Sequence, residues 1–395
     1  MRERRGGTGV AVALLLVALL CGAAALAGGG TAGGDGPLGL AASASAAPPR
    51  LDGRNRGRLD DLVRFLQDTQ NDDGGYGGQP GAPSDPGFSA WVGIGLAAAG
   101  INPQDQRIPG GRRSLADYVA RKGPVSTGSD GQWLTTELER IGMLANAAGL
   151  DPRRFGGRDY VTPLLARQGA TTFAGSGPDG QPIQVPPGWF PHTATGRSPG
   201  VNDTIFAVFF LSGVGDRRLA PAIGRAAVAI EAMQRRDGTW PATRAGGPTD
   251  VDMTGAAIQA LCVAGRCAGA AVRGALDWLR AHQQRDGGWS FSAAPGESNA
   301  GTTPWVVQAL WAAGIDPRSW RSGGRDPLDF LASLQRRDGS IRWKRSADMN
   351  PTWMTAYAAP AFAGHPWPVP APPRAAAVRR QRQAQAQARE RRRAQ

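Results

Sequence analysis

The sequence predicts an all-α chain of about six helix hairpins closed into a ring, and three observations predict it. A Gln-x-x-Asp-Gly-x-Trp turn recurs along the chain. It appears with Gln234, Asp237 and Trp240, then with Gln283, Asp286 and Trp289, then with Gln335, Asp338 and a delayed Trp343. Successive copies are about fifty residues apart, a period that marks a repeat architecture. Before each turn, apolar residues fall on one helical face. After each turn comes an almost wholly apolar segment that ends in Ala-Gly. A one-faced helix covers a core and an all-round apolar helix lies within one. Each unit is therefore expected to pair an outer amphipathic helix with a buried inner one and to lean on its neighbours.

The chain of 395 residues opens with a basic cluster, an uncharged apolar run from Gly9 to Ala27 and small residues to about Ala47. This reads as an export signal over residues 1–47, with an uncleaved membrane anchor as the alternative. Leu20 before Cys21 argues against a lipid-modified N-terminus. Residues 48–57 read as a linker. The repeat domain is placed at 58–367 and is expected to lie outside the cytoplasm, secreted or anchored.

From Leu59 the helical period begins, with Leu62, Val63 and Leu66 on one face. A first turn carries Gln70, Asp73, Gly74 and Tyr76. The second and third units are degenerate: Asp130, Gly131 and Trp133 mark one, and Asp179, Gly180 and Trp189 the other. Later outer helices show the period at Ile223, Ala226, Ala227 and Ile230, and at Leu328, Leu331 and Leu334. Six pairs suffice to close one ring of helices within another. The repeated Gln is expected to bond carbonyls left open at helix ends, and the Trp to supply apolar area with one donor.

Residues 368–395 are a proline-rich stop followed by a basic Ala/Gln/Arg tail, expected to be disordered or helical when bound to something acidic. The formal charge of +13 resides largely there: eight Arg and one Glu lie from Arg374 onward, and about +4 is left for the body. The charge thus points to an anionic envelope surface as a partner for the tail and not to nucleic acid.

Cys262 and Cys267 flank Gly265, where one helix should end. An isolated pair in an oxidising compartment reads as a disulfide, with two free thiols as the alternative. The chain has three His, and no spacing suits a metal site; no cofactor is implied.

Taken together, the Gln-x-x-Asp-Gly-x-Trp turns resemble the QW motifs of the squalene–hopene cyclase and protein prenyltransferase repeat superfamily, over about residues 58–367. The resemblance implies an α/α toroid around a central cavity. Asp250-Val-Asp252-Met253-Thr254 resembles the Asp-x-Asp-Asp-Thr motif of class II terpene cyclases. That resemblance implies Asp252 as a general acid and Asp250 as its supporting neighbour, with Met253 in place of the last Asp. A second reading of the same residues is helix N-capping, because Asp348, Asn350 and Thr352, and Asn202, Asp203 and Thr204, take matching places in other units. The inner helices read as mostly Ala, Val, Ile, Leu and Gly, a thin aromatic lining for a cyclase. The leading expectation is accordingly a binding or scaffold protein for an apolar small molecule, a peptide or an envelope component. A cyclase-like enzyme acting on an isoprenoid is the alternative.

Overall fold

A computed structural model describes residues 52–176, 181–294 and 296–394, with side chains described as far as residue 389. The expected export signal, residues 48–51 of the expected linker and the Asp179-Gly180 turn lie outside the described residues; the rest of that linker, from Gly53, is already the first turn of helix. Helices alternate between two rings. The inner ring is α2 (Pro86–Ala98), α4 (Thr135–Ala147), α6 (Val201–Gly213), α8 (Val251–Val263), α10 (Thr303–Ala312) and α12 (Pro351–Ala363). Each inner helix packs on the next, and α12 packs on α2, so the ring is closed. The outer helices are α1 (Gly53–Asp68), α3 (Leu115–Lys122), α5 (Val161–Leu165), α7 (Ala220–Ala232), α9 (Ala270–Ala281) and α11 (Pro327–Leu334). Helix α7 sits against both α6 and α8, and α11 against both α10 and α12. This is the α/α toroid of six hairpins that the repeat predicts.

Small residues let the inner helices approach closely. A Cβ on Gly95 of α2 would stand 2.6 Å from the Ala356 carbonyl of α12, and one on Gly255 of α8 would stand 2.8 Å from that of Trp305 in α10. Two short antiparallel ladders are the exceptions to helix: β1 (Phe173–Ser176) with β2 (Pro182–Val185), and β3 (Trp240–Pro241) with β4 (Thr249–Asp250). The first arises because Phe173, Ile183 and Val185 alternate with polar or small residues over a few positions.

The repeated turns are staples. Gln234 Nε2 donates to the Gly238 carbonyl at 2.9 Å in its own turn and to that of Ala271 at 2.8 Å, at the start of the next outer helix. Gln283 does the same to Gly287 and Trp320, and Gln168, in a unit the sequence reads as degenerate, to Gly188 and Ala222. Gln335 donates to the Arg58 carbonyl at 2.9 Å, 277 residues away. The last unit is thereby pinned to the first. Asp237, Asp286 and Asp338 each accept the N–H two residues on, which forms the turn. The following Gly takes a φ near +90°, as at Gly238 and Gly287. A side chain there would also strike the neighbouring unit: a Cβ on Gly287 would be 2.5 Å from the Asp326 carbonyl.

Trp240 and Trp289 are fully buried, and each indole N–H bonds the carbonyl ten residues back, of Ile230 and Leu279. Their backbone N–H groups donate to Thr254 and Thr303 hydroxyls on the inner helices. In the last copy Ile341 takes that place, donating to Thr355, and Trp343 does not. The reason is spacing: the buried position is fixed by the distance from Asp-Gly, and two extra residues carry Trp343 beyond it to a partly buried site under Lys344.

Cys262 and Cys267 are joined by a disulfide that ties the end of α8 to the loop before α9. In the tail, Ala375–Ala394 forms helix α13, consistent with the high helix propensity of Ala, Arg and Gln. It is anchored at its base, where Arg374 and the Ala375 N–H both bond Asp105 and Arg374 also bonds Gln104. Among the described residues no helix is long and apolar enough to cross a membrane.

Candidate functional site at the amino-terminal mouth of the inner ring

The inner helices all begin at one end of the toroid, because each follows an outer helix and packs on inner neighbours of the same sense. Their first two turns carry the polar and aromatic groups. Asp250 is the N-cap of α8: its carboxylate accepts the Met253 N–H at 2.8 Å, and the side chain is buried. Asp252 is the second residue of the helix, in its first turn, and is not the cap. Its Oδ1 is sealed from solvent and has no hydrogen-bond partner. Burial pushes the Asp252 carboxyl up to about 6, opposed in part by the Thr302 hydroxyl of the next unit. Burial, with the charge of Asp252, also holds Asp250 well above the usual carboxylate range. Met253, in place of a third carboxylate, packs against the core.

Asn350, read as the counterpart cap in the last unit, does not cap. Its backbone is left-handed, with φ 45°, and its side chain bonds no helix N–H. Pro351 supplies the N1 residue of α12 in its place, where a missing N–H costs little. Thus the carboxyl pair of α8 is divided: Asp250 caps the helix, and Asp252 keeps one buried oxygen, Oδ1, without a partner.

The centre of the ring is aromatic. Trp91 of α2 meets Phe206 of α6, Trp305 of α10 and Tyr357 of α12, with ring centroids 6.0, 6.5 and 5.3 Å away, all edge-on. Trp367, just after α12, stacks on Trp305 at 5.7 Å and touches Trp91 and Phe209. Gln259 of α8 positions the residue by accepting the Trp367 backbone N–H. Above this packed layer, Phe88, Trp353 and Tyr357 form a half-buried chain of rings at the mouth. Arg140 of α4 lies with its guanidinium 5.6 Å over Trp91 and is paired to Glu137 at 3.0 Å. The Tyr357 hydroxyl feels both Arg140 and Asp252, and burial raises it beyond its ordinary range. The thin aromatic lining expected from composition is therefore a misreading. The rings come only one or two per helix but in register, within the first two turns of α2, α6, α10 and α12. That register is the signal that finds them.

On the α4–α6 side the mouth is polar. Glu139 is almost wholly buried and neither carboxyl oxygen has a partner. Burial first, then the nearby Asp203 carboxylate, raises it well above the usual range, against the pull of Arg167 and Arg140. Asp203 itself is buried and bonded to His192 Nδ1 at 3.1 Å. That bond raises the His192 imidazole, whose side chain is 57% exposed. Arg167 donates to the Thr135 hydroxyl. Glu139, a buried carboxyl on an inner helix that also carries Glu137 and Arg140, is another residue that composition alone hides. Among the described residues no cluster suits a metal ion.

This arrangement can hold an unsaturated or aromatic group against ring faces and edges, near the Asp252 carboxyl that burial raises above the usual carboxylate range. The squalene-hopene cyclase C-terminal domain family matches residues 191–357, and the prenyltransferase alpha-alpha toroid domain family matches residues 21–131. In structure the chain is similar to a protein from Actinoplanes, at 16% identity and a TM-score of 0.53, over 78% of this chain and 99% of that one. It is also similar to a type II terpene cyclase, MstE R337A from Scytonema, solved with its substrate geranylgeranyl dihydroxybenzoate. There the identity is 14% and the TM-score 0.51, over 79% of this chain and 97% of that one. It spans 52% of ent-copalyl diphosphate synthase from Streptomyces platensis, with 72% of this chain covered, 18% identity and a TM-score of 0.47. No curated protein matches the chain in sequence.

Proposed function

Given that the chain belongs to the squalene–hopene cyclase and prenyltransferase repeat superfamily, we propose that it is an exported binding protein for an apolar, unsaturated small molecule. The ligand is held at the amino-terminal mouth of the inner ring. The observation that carries this reading is the aromatic mouth itself: Phe88, Trp353 and Tyr357 lie half-buried above a layer of rings packed against one another. Packed rings favour a ligand that lies on the layer over one that folds up inside it. An isoprenoid-like chain fits such a surface, and the Scytonema neighbour has a geranylgeranyl compound as its substrate. Titration of intrinsic tryptophan fluorescence with a prenyl chain such as farnesene tests this. Saturable quenching that Trp353→Ala abolishes is the expected result; no saturable change in the wild type overturns it. Native mass spectrometry of protein from its source would then identify the molecule retained.

One observation favours a second reading, a cyclase-like enzyme. Asp252 has a buried carboxyl oxygen, Oδ1, without a partner, in the electrostatic neighbourhood of Tyr357, and burial pushes the carboxyl up to about 6. Protonation of a bound alkene or epoxide requires such an acid. Asp252→Asn would abolish turnover of the bound prenyl chain and leave binding intact. Retained turnover in that variant, or none in the wild type, removes the acid role.

A further inference from the structure

Resting on the binding reading above, we propose that Glu139, Asp203 and Arg167 form a head-group site in the same mouth, selective for a neutral hydroxyl. The ligand would then be an amphiphile with an unsaturated apolar body and an alcohol at one end. Three observations carry this. First, Glu139 is almost wholly buried with both carboxyl oxygens unbonded, a costly state unless a ligand supplies the partner. Second, it faces groups of complementary capacity: the Asp203 carboxylate, backed by His192 at 3.1 Å, and the Arg167 guanidinium, which donates to Thr135. Third, Glu139 lies on α4 and Asp203 on α6, with Arg167 just after α5, and the same two helices carry Arg140 over Trp91 and Phe206 against Trp91, so the cluster adjoins the aromatic layer.

The chemistry selects the head group. A Glu139 carboxyl kept protonated by burial has one O–H to donate, and Asp203 has lone pairs to accept. A hydroxyl can receive the first and give to the second with one oxygen. A phosphate dianion has no proton to give, and it would meet Asp203 as a like charge. The guanidinium groups nearby already face carboxylates: Arg140 pairs with Glu137 at 3.0 Å, and Arg167 feels Glu139, Asp130 and Asp203. A hydrocarbon would leave Glu139 as it is, unbonded.

Three probes of one chain length test the proposal: farnesene, farnesol and farnesyl phosphate, each titrated by tryptophan fluorescence. Farnesol is expected to bind about tenfold more tightly than farnesene, the factor that one added buried hydrogen-bond set supplies. Farnesyl phosphate should bind more weakly than farnesol. Glu139→Leu should bring farnesol to the level of farnesene without weakening farnesene, and without lowering Tm, since it removes an unbonded buried carboxyl. Glu139→Gln, which keeps a donor and an acceptor in the same shape, should retain most of the preference. Equal binding of alcohol and hydrocarbon, tighter binding of the phosphate, or a preference untouched by Glu139→Leu each overturns the head-group site while farnesene binding still stands for the mouth. Failure of all three probes overturns both readings. If Glu139→Leu fails to fold, Glu139→Gln and Asp203→Ala decide, because Asn in place of Asp203 would keep an acceptor. Loss of preference in Asp203→Ala with retention in Glu139→Gln supports the site, and unchanged preference in Asp203→Ala refutes it.

Discussion

Asp252 and Asp250 stand two residues apart on one helix and do different work, and the difference is measurable. The Asp252 carboxyl sits above its unfolded value of 3.8, at about 6. The protonated native form is therefore favoured, and its contribution to stability is full below pH ~4 and lost as pH rises through about 6. At most about 3 kcal/mol is involved, by the conversion of a shift to free energy. Asp252→Asn, which cannot ionise, should flatten the fall in Tm between pH 4 and 6 seen in the wild type. An unchanged slope would show that Asp252 is solvated. Asp250→Ala should instead cost about 0.5–2 kcal/mol at every pH where the cap is charged, because it removes the bond to the Met253 N–H. The sequence places both carboxyls at the start of an inner helix but assigns the cap by analogy to Asn350. Only the backbone decides: Asn350 is left-handed and Asp250 extended, and no local pattern distinguishes them.

At the scale of elements, the staple turns were legible because their chemistry is local. Gln, Asp and Gly act within four residues of one another, and each element of the motif has one geometric task. What was not legible is what the turns reach. The partners of Gln234 and Gln283 are 37 residues on, and that of Gln335 is 277 back. Tyr76, Trp240 and Trp289 are buried as the motif suggests, whereas Trp343 is displaced because the motif counts from Asp-Gly. The tail composition reads as disordered or as helical on an acidic partner, and its base is tethered: Arg374 and the Ala375 N–H bind Asp105, and Asn102 bonds the Pro372 carbonyl, just before α13. Removal of residues 376–395 should leave Tm nearly unchanged, because the described side chains there are largely exposed, and should weaken binding to vesicles rich in anionic lipid. Removal from residue 366 onward should cost several kcal/mol, on the order of 3–5 for the loss of Trp367 alone. Differential scanning fluorimetry of the two truncations checks both. A destabilised short truncation would make α13 part of the fold.

For the molecule as a whole, closure is the property the repeat count predicts and the structure delivers: α12 packs on α2 as the other inner helices pack on each other. The function is less legible than the fold, because it depends on residues that meet only across the ring. Trp91, Phe206, Trp305 and Tyr357 are spread over 267 residues of sequence, and Glu139 meets Asp203 from the adjoining helix. Neither set forms a motif. Gln335→Ala tests closure directly. It removes bonds to Arg58 and Gly339 and should cost about 1–2 kcal/mol, no more than Gln234→Ala, if the last joint is like the others. A much larger loss would make the joint between the last and first units a special one. If the joints are equivalent, the place where the chain begins carries no structural meaning. The ring can then be cut elsewhere, in the 266–269 corner for instance, and rejoined by a linker from residue 367 to residue 52. Such a permuted chain should fold to the same helical content and bind the same ligands, since every staple and every ring contact survives the change of order.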